Sequence, residues 1–333
     1  MSSKKRPVLQ RLSNLNGNGD RMGVIEEVFS IDLPVGEQFR IQRCRYTPQS
    51  GETKKRISIV SGIHGDELEG QYVCFLLGEW LRSNPEKIKA TIDIYPAINS
   101  LGIDSITRSV PFYDVDLNRI FPGSKNDFLP AQIADGVVSA MSGSEIAIDI
   151  HSSNVFLREI PQVRIAKSQA DTLVPLANKL NIDFVWVHDA VTVLESTFAH
   201  AMNTLGTKTL VVEMGVGMRL SKAYGHQLLD GILNLMACEG FLDIAPLEVR
   251  MPIQSEVGEV AYLNASCPGL FVPAIEHCQM IQKGEIVGEI VDPLSGQTLD
   301  EVIAPIGGIL FTLRAYPIVY EGSLVGRIFG ENG

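Results

Sequence analysis

Between about residue 57 and residue 238, short apolar runs alternate with longer stretches whose apolar positions recur at helical spacing. The short runs, 57–61, 91–95, 145–150, 163–166, 184–187 and 209–213, are rich in Ile and Val and predict strands. The longer stretches, 68–81, 131–141, 169–180, 196–205 and 222–238, predict helices. Strands with helices between them imply an α/β sheet covered on both faces. Ligands in such sheets bind beyond the carboxyl ends of the strands, where His64, His151 and Glu213 fall.

After about Pro246 no helical pattern remains, which divides the chain into an α/β unit at 1–246 and a β module at 247–333. The module contains an echo: Lys283-Gly284-Glu285-Ile286-Val287-Gly288-Glu289-Ile290 returns 38 residues later as Glu321-Gly322-Ser323-Leu324-Val325-Gly326-Arg327-Ile328. Each copy follows a glycine-led apolar run, Gly269-Leu270-Phe271 or Gly308-Ile309-Leu310. Two related hairpin units predict a small barrel or sandwich resembling biotinyl and lipoyl carrier domains. Lys283 lacks the flanking residues that carriers present for modification, so a structural or gating role is expected.

Composition narrows the class. With 45% hydrophobic and 20% charged residues the 333-residue chain reads as an ordinary globular protein. Its net charge of -11 opposes nonspecific contact with nucleic acid or anionic membrane. The basic start, residues 1–7, has no apolar run behind it and does not read as a secretory signal. No stretch approaches the roughly 18 apolar residues of a membrane span. Five cysteines without a CxxC pair read as reduced thiols, and the expected location is cytoplasmic.

The chemistry begins at Ile59-Val60-Ser61-Gly62-Ile63-His64-Gly65-Asp66-Glu67, a strand that breaks into a glycine-rich turn. His64 and Glu67, three residues apart, can converge on one point, and His151 leaves the end of another buried run. Two histidines, one carboxylate and an open position match hydrolytic zinc, one ion per chain. Non-haem iron sites use the same donors, usually within β-barrels rather than an alternating β/α chain. Taken alone, His151 would read as a satisfied core histidine; its pairing with His64 and Glu67 is what favours ligation.

Glu213, in Val211-Val212-Glu213-Met214-Gly215, is a carboxylate inside an apolar run. Burial would raise its pKa towards general acid–base work on an activated water, and a structural salt bridge is the competing reading. In Asp114-Val115-Asp116-Leu117-Asn118-Arg119, Asn118 and Arg119 can grip a carboxylate, and Asp116 can orient a ligating histidine. Arg108 can face a developing oxyanion. Each of these is also acceptable as a loop residue or surface ion pair. His188, which follows a strand, Tyr224 and Glu195 can approach a pocket, but His188, His200, His226 and His277 all read first as ordinary polar surface or core residues.

His64-xx-Glu67, Asp116-Leu117-Asn118-Arg119, His151 and Glu213, in this order, resemble the succinylglutamate desuccinylase/aspartoacylase family, which is related to the zinc carboxypeptidases. The resemblance spans most of the chain, including the C-terminal Gly-Leu-Phe and Lys-Gly-Glu features. It implies a mixed, largely parallel sheet flanked by helices, of zinc carboxypeptidase type, with a C-terminal all-β barrel or sandwich module. It implies zinc on His64, Glu67 and His151, with Glu213 as general base and acid. By the same comparison Asn118 and Arg119 bind the substrate carboxylate, and Arg108 polarises the scissile carbonyl. One departure is Ala97-Ile98-Asn99-Ser100, where many relatives have Asn-Pro. The N-terminal extension and Phe121-Pro122-Gly123 resemble the subgroup acting on N-acetylated diamino acids.

The expected function is zinc-dependent hydrolysis of the amide bond of a small N-acyl amino acid. A peptide-trimming carboxypeptidase and a catalytically silent metal-binding interaction protein are the alternatives. The expected partner is that small molecule, with neither nucleic acid nor membrane, and a homo-oligomer is compatible with the sequence.

Overall fold

Two strands that the apolar-run pattern passes over open the described part of the chain. β1 (Val24–Asp32) and β2 (Gln38–Tyr46) form an antiparallel hairpin. At the start of β2 apolar and polar residues alternate, so Phe39 and Ile41 are buried while Arg40 points away. The structure, a computed structural model, describes residues 23–51, 53–188 and 195–330. The basic segment at 1–7 lies outside these residues.

The α/β part follows as β3 (Arg56–Ser61), α1 (Glu69–Ser83), β4 (Thr91–Tyr95), α2 (Ser100–Ser105), α3 (Leu129–Met141) and β5 (Ile146–His151). It continues through β6 (Leu157–Ala166), α4 (Ala170–Ala177), β7 (Phe184–His188), α5 (Phe198–Thr204), β8 (Lys208–Gly215) and α6 (Lys222–Cys238). Strands β4, β3, β5 and β8 lie side by side and parallel, while β2 and β6 flank them antiparallel. Helix α4 is shorter than its periodicity suggests. Beyond Ala177 the chain tightens into turns, Lys179 N–H to Leu176 O and Leu180 N–H to Ala177 O, before Asn181 adopts φ 52°.

Alternation along the strands separates two cores. Ile57, Ile59, Ile146, Ile148 and Ile150 pack on one face with Val73 and Leu77 of α1, Leu173 of α4 and Ile232 of α6. Val60 and Tyr95 point to the opposite face, where Ile133 and Val137 of α3 meet Phe198 and Met202 of α5. Both faces are therefore covered, and the strand ends remain the accessible edge. Among the described residues no helix is long and apolar enough to cross a membrane.

The 38-residue echo becomes a two-fold pattern of strands. After β9 (Ile253–Gln254), the first copy runs β10 (Glu259–Asn264), β11 (Gly269–Pro273), β12 (Met280–Ile281) and β13 (Ile286–Asp292). The second runs β14 (Gln297–Ile303), β15 (Gly308–Arg314), β16 (Ile318–Val319) and β17 (Leu324–Gly330). Within the copies β11 pairs with β13 and β15 with β17. Between them β12 pairs with β15, β16 with β11, β14 with β13 and β10 with β17. Val287 and Ile290 of one copy share a core with Val325 and Ile328 of the other. Strands β14, β13, β11 and β16 form a separate antiparallel sheet. Strand β15 instead pairs with β6, Thr312 opposite Glu159, so the main sheet continues into the second copy.

Candidate metal centre

Neighbouring parallel strands β3, β5 and β8 deliver their candidate residues at adjacent carboxyl ends. β5 ends on His151, and Glu213 of β8 stands in register opposite it. From Ser61 the chain turns through Gly62, at φ 73°, and sets His64 and Glu67 just before α1. The turn is crowded, since a Cβ on Gly65 would lie 2.0 Å from the carbonyl carbon of Gly102.

His64, Glu67 and His151 are buried, and their ligand atoms lie within 4.8 Å of one another. Nδ1 of His64 is 2.8 Å from Glu67 Oε1, Nδ1 of His151 is 2.8 Å from Glu67 Oε2, and the two Nδ1 atoms are 3.2 Å apart. The far ring nitrogens are held as well. His64 Nε2 is 3.0 Å from Asp116 Oδ1, and His151 Nε2 is 3.0 Å from Asp149 Oδ2. A carboxylate there accepts a hydrogen bond from Nε2–H, which fixes the tautomer that leaves the Nδ1 lone pair for the centre.

Burial disfavours a charged ring at both histidines, yet Glu67 with Asp116 or Asp149 drives both imidazoles above their usual range. Burial equally opposes an ionised Glu67, and the imidazoles overcome it and hold its carboxyl far down. Asp116 behaves alike, burial opposing its charge and the His64 hydrogen bond prevailing. Three carboxylates around two imidazoles thus demand positive charge at their centre. A divalent cation held there would supply it with the rings deprotonated, and this donor set fits zinc.

Arg108 donates to Glu67 Oε1 at 2.8 Å and from two nitrogens to Asp116 Oδ2 at 3.2 Å, so it braces the cluster. Asn118 accepts Phe198 N–H on its side-chain oxygen at 2.8 Å. Arg119 donates to the Asn118 carbonyl at 2.7 Å, and no carboxylate among the described residues pairs with it. Asn99, at the departure from Asn-Pro, is buried, accepts Gly102 N–H and donates to Ser109 O, which pins the loop leading to Arg108.

Burial pushes Glu213 up to about 7, with Arg164 and His151 pulling the other way. It lines a cavity of about 260 Å³ together with His64, His151, Asn118 and Arg119. A second cavity of about 400 Å³ shares Arg108, Arg119, Arg164 and Glu213 with the first. His188 and His200 line the first cavity. Tyr224 does not; it sits against Arg158 and hydrogen-bonds His277. His226 instead meets Tyr72, and Glu195 is absent from the linings of both cavities.

Sequence reasoning missed three participants. Asp149 stands two residues before His151, and the two-residue period of a strand puts both on one face. Arg164 is a charge inside an apolar strand, the same signal that marked Glu213. Ser152 contributes its backbone N–H to Glu67 Oε2 at 3.2 Å, which no side-chain pattern encodes.

The catalytic-domain model of the succinylglutamate desuccinylase/aspartoacylase family matches residues 53–238. The fold is shared with a succinylglutamate desuccinylase/aspartoacylase from Rhodobacter sphaeroides, at TM-score 0.77 and 22% identity, covering 94% of this chain and 97% of that one. It is shared with the product-bound ectoine utilization protein EutE (DoeB) from Ruegeria pomeroyi, at TM-score 0.77 and 18% identity, covering 93% and 96%. An aspartoacylase family protein from Mesorhizobium loti gives TM-score 0.75 and 19% identity, covering 95% and 98%. Comparison with curated proteins returns no match.

Proposed function

Because the chain belongs to the succinylglutamate desuccinylase/aspartoacylase family of deacylases, we propose that it is a zinc-dependent deacylase cleaving the amide bond of a small N-acyl amino acid. The reading rests on one observation: His64, Glu67 and His151 converge within 4.8 Å beside a partly buried carboxylate, Glu213, aligned with His151. A zinc ion held by these three residues would supply Lewis acidity for the scissile carbonyl and for water near neutral pH.

The chain's own groups do the rest. Asp116 and Asp149 hold the two rings in the tautomer that ligates. Glu213 takes the proton of the attacking water on a carboxylate oxygen and returns it to the leaving amine nitrogen, so the C–N bond breaks with a neutral amine departing. Arg119, with the Asn118 amide N–H beside it, binds the substrate carboxylate and fixes the carbonyl against the site. Arg108, already anchored on Glu67 and Asp116, faces the carbonyl oxygen as negative charge develops. An N-acetylated diamino acid is one such substrate, and the β module is the unit that would gate the cavity.

A hydrolysis screen tests this reading: zinc-loaded protein with N-acyl amino acids of varied acyl length and side-chain charge, beside a dipeptide series. Turnover of N-acyl amino acids, lost on chelation and restored by zinc, is expected. Turnover of dipeptides alone would favour a carboxypeptidase, and zinc-loaded protein inert to both would overturn the reading.

A further inference from the structure

A chain of charged side chains joins the C-terminal β module to Glu213. Arg164 of β6 reaches Glu213 Oε1 at 3.3 Å and grips both oxygens of Glu159 at 2.8 and 2.6 Å. Glu159, 1% exposed, also accepts from Gln162 Nε2 at 2.9 Å and from Arg327 Nη1 of β17 at 2.8 Å. The guanidinium carbons of Arg164 and Arg327 both lie over the Trp186 ring, 5.5 and 5.3 Å from its centroid. Pairing of β6 with β8 is irregular between Glu159 and Gln162. Such a break re-aims side chains, and here it lets Glu159 face Arg327 while Gln162 stays in register with Glu213.

The internal repeat departs at this place. Arg327 occupies the position that Glu289 holds in the first copy. Glu289 lies in the separate sheet, whereas the second copy faces β6 through Thr312 opposite Glu159. A glutamate at position 327 would oppose Glu159 at contact distance. The reversed charge in the copy that docks on the α/β part is what the buried carboxylate requires.

We propose that Arg164 is a positioning residue for Glu213, and that the C-terminal β module holds it in place through Arg327 and Glu159. A carboxylate gripped by two guanidinium groups and an amide keeps Arg164 in one arrangement. Arg164 in turn restricts where Glu213 can present its oxygens. Module docking thereby enters the proton-transfer geometry through Arg164. The inference rests on the acid–base role proposed for Glu213.

The test uses the full-length, zinc-loaded protein and the variants Arg327→Met, Arg327→Lys and Glu213→Gln, followed by kcat, KM, zinc content and thermal midpoint. Arg327→Met should lower kcat about 10-fold or more, the scale of one charge-assisted hydrogen bond, with zinc content intact and KM nearly unmoved. Arg327→Lys keeps a cation for Glu159 and should recover part of that loss. In the Glu213→Gln background Arg327→Met should produce no further loss, because the two act through one group. A lower thermal midpoint with unchanged kcat would overturn the inference, and so would an equal fold-loss in both backgrounds. If Arg327→Met does not fold, Arg327→Gln, which leaves Glu159 an amide but no charge, takes its place, and wild-type kcat in that variant overturns the inference. Full turnover by Glu213→Gln would remove the underlying acid–base reading, whatever Arg327 does.

Discussion

His151 and Glu213 stand opposite each other in register on the parallel strands β5 and β8. Adjacent strands lie about 4.8 Å apart, so no flexible loop intervenes between the metal cluster and the carboxylate assigned to proton transfer. Glu213→Gln keeps shape and removes the basic oxygen. It should retain zinc stoichiometry while kcat falls by about 10²–10⁴-fold, the usual share of a positioned acid–base group. A zinc-replete variant turning over at the wild-type rate would refute the assignment.

Asp149 touches His151 only from the far side of the ring, at 3.0 Å. Asp149→Asn should therefore weaken zinc by about 10–100-fold, the range expected when an orienting carboxylate is lost. Chelator competition measures it, and unchanged affinity would show that Asp149 does not orient the ring.

The elements legible in the sequence are those whose residues face a core. Thr91–Tyr95 and Lys222–Cys238 are found where their patterns end, because every strand position is buried in one and a continuous stripe in the other. The β1–β2 hairpin escapes because β1 has no fully buried position, its apolar residues interleaved with Glu and Ser. The site divides in the same way. His64, Glu67, His151 and Glu213 are visible as polar residues interrupting apolar runs. Arg164 carries that mark too, but its meaning depends on Glu159 and on Arg327, which is 168 positions from Glu159. Such pairing follows from how β15 and β17 dock, and local pattern holds no record of it.

Arg119 lines both cavities beside the metal cluster. Arg119→Ala should reduce kcat/KM about 10–100-fold for substrates bearing a free carboxylate, the scale of one charge-assisted contact. Amide analogues lacking that carboxylate should lose much less. Equal losses on paired substrates would exclude the clamp role.

His277 joins the β module to α6. It lies 3.2 Å from the Phe311 carbonyl through Nε2 and 3.4 Å from Tyr224 Oη through Nδ1. Burial lowers its pKa to about 4, and Arg158 adds to the effect. The folded protein thus binds fewer protons here than the unfolded chain between about pH 4 and 6.5. Stability from this group is complete above about 6.5 and declines as pH falls to about 4, by at most about 3 kcal/mol. Urea midpoints at pH 7.5 and 4.5 should differ less in His277→Gln than in the wild type. Equal differences would show that His277 does not contribute to acid sensitivity.

Gly65 sits between the two ligands of the first turn, and its backbone faces α2. An added Cβ would lie 2.0 Å from Gly102 carbonyl carbon and 2.4 Å from its oxygen. Gly102 cannot easily retreat, since its N–H is held by the buried Asn99, which also holds Ser109. The overlap must displace either the His64–Glu67 turn or the loop to Arg108. Gly65→Ala should therefore cost about 2–4 kcal/mol and loosen zinc together, as a strained site does. Gly206→Ala is the control: φ is 88° and nothing lies within 4 Å of the added atom, so only backbone strain of about 1–2 kcal/mol applies. Denaturant midpoints and zinc stoichiometry of the two variants separate crowding from strain. A Gly65→Ala protein that holds zinc normally and is no less stable than Gly206→Ala would mean that the turn relaxes without moving its ligands.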